Sequence, residues 1–444
     1  MDESLLVSAL ARARERGATA ADGYLVEDRS FSAAVRLGQV DTVTHSHDQR
    51  LSLRVFVGRA SAAASTSDLS RASLERVVDE ATALARITAE DEFAGLPERD
   101  LLIGQVPDLD LEDHEPDVEP EAKIDVARRA EAAALESSPE IGNSEGAEYS
   151  DRRARYIYAT ADGFAHGYTT TSFGLTVSPV AKRNGEMQRD SWYTSARKRS
   201  RLEAPESVGR TAAKRALRRL GARKMKTTEV PVIFDPETAA SLLRSIAGAA
   251  SGPSLYRRAS FLLDRLGTRI ASPSITIVDD ALMPGALGSR PFDGEGLPTG
   301  RLTIVREGVL ESYLLDTYSA RKLGLRSTHH AARDGSGVTV STTNLMLRPG
   351  TATPEEMIRS VSNGFYVTEL IGFGINGVTG DYSRGAAGLW IENGELAYPV
   401  EEVTVASNLL RMFDNVEGVG NDLVLRDRTA SPTLMIGRMV VAGQ

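Results

Sequence analysis

Six histidines, one loop with paired acids and one serine-bearing turn are the residues of this 444-residue chain whose types and spacing could do chemistry. The histidines are His45, His47, His114, His166, His329 and His330. None stands in HExxH or HExxxH, patterns in which two imidazoles and a carboxylate serve one metal ion. His45 and His47 are two apart and share a face of any strand that holds them. They could belong to a metal site, but no third ligand accompanies them, and a polar hairpin face is the alternative. His114-Glu115 runs into Pro116, where no helix can present ligands. His329-His330 falls in a glycine-containing loop after Leu325, at a cleft or on an exposed turn. Asp293 and Glu295 in Pro291-Phe-Asp-Gly-Glu-Gly296 could share acid–base work or hold a cation. A glycine-shaped loop with exposed acids is the plainer expectation. In Gly380-Asp-Tyr-Ser-Arg-Gly385, Ser383 suggests a nucleophile elbow, yet Asp381 stands where G-x-S-x-G requires glycine. A tight loop with Asp381 and Ser383 bonded to their own backbone is expected instead. Arg384 can aim a bidentate guanidinium at a carboxylate. His330, Asp381, Ser383 and Arg384 are therefore the candidate lining of a substrate cleft. Cysteine is absent, which removes disulfides, thiolate zinc sites and cysteine nucleophiles together.

The elements that must position these groups follow from periodicity. The N-terminus has Leu5, Leu6, Ala9, Leu10 and Ala13 at amphipathic helix spacing, which reads as a helix rather than a signal peptide. Apolar runs at 24–26, 31–35, 51–57 and 60–64, with Gly38 and Gly58 between them, predict an antiparallel meander. Ser70 caps a helix whose inner face carries Leu74, Val77, Val78 and Ala81. Residues 107–121 hold eight acidic residues and three prolines, an exposed linker or surface strap that could also dock a basic partner. Helices are expected at 122–135 and 206–221, with strands and an Asn184-Gly185 hairpin between them. Residues 210–226 carry eight basic residues and no acid. No aromatic residue interleaves them, so a solvated helix face or a protein-binding surface is preferred over nucleic acid. At 231–252, PVIFDPETAASLLRSIAGAASG reads as a strand, an Asp235-Pro236 helix start, and a helix burying Leu242, Leu243 and Ile246. Gly248 and Gly252 mark its exit. Beyond it the chain is rich in glycine and strands, with turns at Arg306-Glu-Gly308 and Asn393-Gly394.

The predicted class is α+β. An N-terminal domain, 1–225, combines an antiparallel sheet with amphipathic helices. A C-terminal domain, 226–444, is a mostly antiparallel sheet or barrel carrying one central helix. Hydrophobic content of 41% and charged content of 25% are ordinary for a globular chain. A net charge of −9 argues against direct nucleic-acid binding, and no apolar run suits a membrane span. A cytoplasmic location is expected.

The strand–helix–glycine unit at 231–252 resembles the core of the TldD/TldE (PmbA) family. Five further pieces resemble its TldE (PmbA) branch: Ser254-Leu-Tyr-Arg-Arg-Ala-Ser-Phe-Leu262, Pro291-Phe-Asp-Gly-Glu-Gly296, Ser319-Ala-Arg-Lys-Leu-Gly324, Thr379-Gly-Asp-Tyr-Ser-Arg-Gly385 and Gly420-Asn-Asp422. The resemblance implies that the helix stands where TldD-type chains carry HExxxH. Here Arg244, Ser245 and Ala249 replace the two zinc ligands and the base. None of the three can take over the lost role. A third zinc ligand, a cysteine in TldD-type chains, is missing as well. Residues five apart on a regular helix point roughly 140° away from one another, so a helix break at Gly248 is expected to survive from the motif. The resemblance further implies a subunit without metal of its own, paired with a TldD-like zinc metallopeptidase or with itself, acting on unfolded or leader-bearing peptides. An independent homodimeric hydrolase and a non-enzymatic binding modulator remain the alternatives.

Overall fold

Alternation in the first strands dictates a sheet with one greasy face. In β1 (Ala20–Arg36), Leu25, Phe31, Ala33 and Val35 are buried on one side. The computed structural model describes residues 3–334 and 337–443. After α1 (Glu3–Glu15), β1 pairs with β2 (Gln39–Val57), which pairs with β3 (Ala60–Thr66). The expected meander is present, with 24–26 and 31–35 fused into one strand. α2 (Arg71–Ile87) starts at Ser70, whose side chain accepts from Ser73 N. α3 (Pro120–Leu135) leads into the long hairpin of β4 (Ile141–Thr160) and β5 (Ala165–Arg183). β6 (Glu186–Arg189) and β7 (Trp192–Ala196) both pair with β5, and α4 (Pro205–Leu217) follows. α1 and α2 cover Leu25, Leu51 and Leu53, while α3 and α4 cover Ala33, Val35 and Val177. α3 and α4 touch at Gly209, where a Cβ would lie 2.0 Å from Ala130 O, so no larger residue fits.

Two sequence expectations change here. The acidic stretch is a half-embedded strap, because its backbone finds partners on β5. Thr171 N donates to Leu111 O at 2.9 Å, Asp113 N donates to Thr171 Oγ1 at 2.8 Å, and Leu109, Leu111 and Asp113 are buried. The basic helix is not simply solvated. Arg215 reaches Asp190, between β6 and β7, at 3.2 Å, and Arg219 reaches Glu369 of the second half at 2.5 Å.

The second half begins with β8 (Thr228–Phe234), α5 (Pro236–Ala249) and α6 (Gly252–Tyr256). A small sheet follows from β9 (Ile277–Asp280), β10 (Arg301–Arg306) and β11 (Val309–Leu310). α7 (Thr317–Leu323), the pair β12 (Ala331–Asp334) and β13 (Gly337–Val340), β14 (Leu345–Leu347) and α8 (Pro354–Arg359) come next. Then β15 (Asn363–Ile371), β16 (Asp381–Glu392) and β17 (Glu395–Asn408) run antiparallel, with Asn393-Gly394 at positive φ in the second turn. α9 (Leu409–Asp414), β18 (Val416–Val419), β19 (Thr429–Ala430) and β20 (Leu434–Ala442) complete the chain. The large sheet runs β17-β16-β15-β8-β20-β18, and β17 also pairs with β20, closing a five-stranded barrel. Closure removes the edges of those strands. α5 packs Leu242, Leu243 and Ile246 into the core with Phe365 and Val405 of the barrel.

The halves meet through buried charge. Asp22 of β1 accepts from Arg54 at 2.8 Å, from Tyr158 Oη at 3.1 Å, and from Arg333 of the second half. Arg54 also holds Glu295 at 3.1 Å. Asp293 and Glu295, expected on an exposed loop, are both fully buried. Their loop is tucked against the first sheet: Gly296 has φ +80°, and a Cβ there would lie 2.6 Å from the Tyr158 ring.

Candidate functional site

The cleft is built from α5 outward. Asp235 caps the helix, accepting from Thr238 N at 2.9 Å. Burial pushes its pKa up to about 6, against the pull of Thr238 and Arg215. The helix runs unbroken from Pro236 through Gly248 to Ala249. The expected break at Gly248 is absent, because the last turn closes with α-type hydrogen bonds and Ala250 stays in the right-handed region. A regular helix separates its faces. Arg244 is exposed, Ser245 donates its hydroxyl back to Ser241 O at 3.0 Å, and Ala249 is 5% exposed, inside the core. Arg244 and Ala249 therefore do not converge.

Arg244 opens onto a cavity of about 590 Å³, walled also by Ser241, by Glu369 of β15, by Arg384 of β16 and by Phe373 in the loop between those strands. Arg384 donates to Leu370 O at 3.3 Å and stands 3.5 Å from Ser241 Oγ, while its Nε is buried without a partner among the described residues. The Tyr382 hydroxyl beside it is also buried, with no close hydrogen-bond partner among the described residues, and burial raises its pKa against the pull of Arg384. Glu369 is engaged by Arg219. The arrangement presents fixed cations and hydrogen-bond donors. Guanidiniums keep their protons, so Arg244 and Arg384 can bind and orient an anion or a carbonyl, while the two carboxylates on the wall are engaged, Glu369 by Arg219 and Glu237 by the Tyr193 hydroxyl at 2.9 Å.

The structure separates the four cleft candidates. Asp381 and Ser383 lie exposed on β16, with Asp381 tied to Thr379 Oγ1 at 2.6 Å and Asn408 Nδ2 at 3.2 Å. Those bonds hold its carboxyl below the usual range. The Ser383 backbone N–H goes to Gly374 O at 2.7 Å. Arg384, next along the strand, faces the cleft instead. His330 is elsewhere, 3% exposed, between Asp279 Oδ2 at 3.1 Å and Thr328 O at 2.6 Å. It pins the small sheet to its neighbouring loop. His47 pairs with Glu27 at 2.9 Å. Among the described residues, no three of His, Asp and Glu gather where a metal could sit. The side chains at 244, 245 and 249 do not fit zinc: a guanidinium, a hydroxyl bonded to its own helix and a buried methyl supply no ligand set. Sequence reasoning missed Ser241, Glu369 and Phe373, whose cleft roles arise only when β15 docks beside α5. It also missed Asp22, although a lone acid within Ala-Ala-Asp-Gly-Tyr-Leu-Val was a usable signal.

The architecture is a curled antiparallel sheet backed by helices and joined to a closed barrel. Family models match in three successive pieces: PmbA/TldA metallopeptidase domain 1 over 21–85, the central domain over 113–220 and the C-terminal domain over 227–443. The chain belongs to the PmbA/TldD family. It is 39% identical to "Metalloprotease PmbA" of Escherichia coli O157:H7, over 99% of this chain and 96% of that protein. It is 36% identical to "Metalloprotease PmbA homolog" of Haemophilus influenzae, over 93% and 90%. A crystal structure from Bacteroides thetaiotaomicron, titled a putative modulator of DNA gyrase, superposes with a TM-score of 0.92 at 29% identity, covering 100% and 99%. TldE from Thermococcus kodakarensis shares the fold, with a TM-score of 0.87 at 19% identity over 99% and 100%.

Proposed function

We propose that this chain is the metal-free subunit of a two-subunit zinc metallopeptidase, binding and enclosing unfolded peptide while a TldD-like partner supplies zinc, activated water and base. The observation that carries the reading is α5. At the positions of the family's zinc motif it presents Arg244 to the cleft, ties Ser245 to its own backbone and buries Ala249. The division of labour follows from chemistry: cations that cannot release protons bind and orient, while the nucleophile comes from the partner's metal. The reading includes a cytoplasmic site of action. No described helix is long and apolar enough to cross a membrane. The test is co-purification with a TldD-like chain, followed by cleavage of an unfolded peptide with and without a chelator. The expected result is chelator-sensitive cleavage by the pair, none by this chain alone, and no zinc retained by this chain after dialysis. Zinc-dependent cleavage by this chain alone would overturn the reading.

A further inference from the structure

The seven-stranded sheet has a second face. α1 to α4 cover one side, and the other carries Tyr24, Tyr156 and Tyr168 on the adjacent strands β1, β4 and β5. Their ring centroids are 6.0 and 5.1 Å apart. Farther along the same strands the side chains become hydroxyls, among them Ser30, Ser150 and Ser172. This surface floors a cavity of about 590 Å³, roofed by residues 287–290, 332–333, 341–342 and 427–428 of the second half. It is a different cavity from the α5 cleft, and the two share no lining residue.

Five guanidiniums line this cavity against two carboxylates, in a chain whose net charge is −9. Three of the five are already satisfied. Arg152 is tied to Asp28, Arg333 to Asp22, and Arg197 to the carbonyls of Thr171, Ala286 and Leu287. Of the acids, Asp151 is taken by Lys123 at 2.7 Å, and Asp427 accepts the backbone N–H of Arg428 at 2.6 Å. Arg290 and Arg428 remain. Arg290 donates to Ser341 O at 3.2 Å and lies near enough to the buried Asp293 to pull that carboxyl's pKa down, but its own Nε is buried with no hydrogen-bond partner among the described residues. Arg428 is exposed and stands close enough to Arg197 to add to burial in holding that guanidinium's pKa down to about 10. A buried charged donor without an acceptor is costly, and so is like charge gathered over one cavity. An anion placed there relieves both. Guanidinium forks match a planar carboxylate bidentately, and a row of tyrosine faces gives an extended chain a flat wall with polar tips.

We propose that this cavity binds the carboxylate of an extended peptide, held between Arg290 and Arg428. That the carboxylate belongs to a peptide rests on the function proposed above; that the site takes an anion does not. The carboxylate could come from a chain terminus or from an Asp or Glu side chain. Calorimetric titration of the isolated full chain separates the sources with four probes: a short acid-free peptide with a free C-terminus, the same peptide amidated, the amidated peptide with one internal Glu, and inorganic phosphate. The free-acid peptide is expected to bind, and amidation to weaken it at least about tenfold, the loss of a charge-assisted bond. Recovery by the Glu-bearing peptide supports the site and assigns it to side chains. Failure to recover supports it and assigns it to the terminus. Arg290→Gln and Arg428→Gln should each weaken the free-acid peptide at least about tenfold. Arg290→Lys should restore part of the loss, and Arg71→Gln on the exposed face of α2, outside both cavities, should change nothing. Thermal melting checks that each variant is folded, and Arg428, being exposed, keeps the test alive if Arg290→Gln does not fold. The proposal is overturned if the amidated acid-free peptide binds equally well, if phosphate binds more tightly than the peptide, if folded Arg428→Gln binds like the parent, or if no peptide binds at millimolar concentration. No partner and no zinc are present in these titrations. Their failure therefore leaves zinc-dependent cleavage by the two-chain assembly standing, and failure of that cleavage leaves the anion site standing.

Discussion

Side chains decide what each buried charge can do, and Asp235 makes this measurable. Its carboxyl caps α5 but sits in a dry setting that lifts its pKa from 3.8 to about 6. The folded chain therefore holds that proton more tightly than the unfolded chain does. Between those two values the folded state binds more protons, so the contribution to stability is full below about pH 4 and is lost as pH rises through about 6. Asp235→Asn keeps an oxygen that can cap Thr238 N and removes the charge. Urea melts at pH 4, 5, 6 and 7 should show the parent losing stability over that window relative to the variant. A variant that tracks the parent at every pH would refute the assignment. Asp293, buried beside Glu295, is raised as well and pushes in the same direction. Asp235 was legible as a cap because Asp-Pro-Glu before an apolar helix is a local signal. Its pKa was not, since that depends on Arg215, twenty residues earlier, and on burial under β15. His330 shows the reverse: its loop was expected at a cleft or on an exposed turn, but packing against Asp279 buries the imidazole and makes it a structural pin.

Elements were the most legible level, because turns and caps are written in neighbouring residues. Leu37-Gly38, Asn184-Gly185 and Asn393-Gly394 all take positive φ at hairpin turns. What local pattern could not show was how far strands extend or whether a helix bends. The outer half of β2, with His45 and His47, is an exposed continuation of the Leu51–Val57 run, paired only with β1. At Gly248 the motif's geometry suggested a break, yet with no metal ligands to converge nothing works against the helical hydrogen bonds. This gives a sharp expectation for rebuilding the motif. In the variant carrying Arg244→His, Ser245→Glu and Ala249→His, the two imidazoles would stand on different faces, one of them inside the core. Zinc competition with a chromophoric chelator should show weak binding at best. The variant should also melt earlier, since a buried imidazole without partners costs about 1–3 kcal/mol. Tight zinc binding by the variant would show that α5 bends on demand.

At the scale of the molecule, the sheet half and the barrel half depend on groups more than two hundred residues apart, a contact no local pattern announces. Asp22 is the centre. Burial alone would raise its pKa, yet Arg333 and Arg54 more than offset that and hold it below the usual carboxylate value. The carboxylate therefore stabilises the fold above about pH 4, and that contribution fades as the solution becomes more acid. Removing one member of a buried charge network leaves the others uncompensated and costs about 3–5 kcal/mol. Asp22→Asn should fall in that range by urea denaturation at pH 7, because Arg333 and Arg54 then face each other with Glu295 as the remaining nearby acid. Arg333→Met should cost a similar amount. The double variant should cost clearly less than the two singles added, since it removes the stranded charge along with its partner. The network also bridges the halves, so Asp22→Asn should split one cooperative unfolding step into two. In a Trp192→Phe background, fluorescence of Trp390 in the barrel and far-ultraviolet dichroism of the whole chain would then no longer coincide. Strict additivity of the singles, with both probes still coincident, would mean that apolar packing alone couples the halves and that the charges merely tolerate burial.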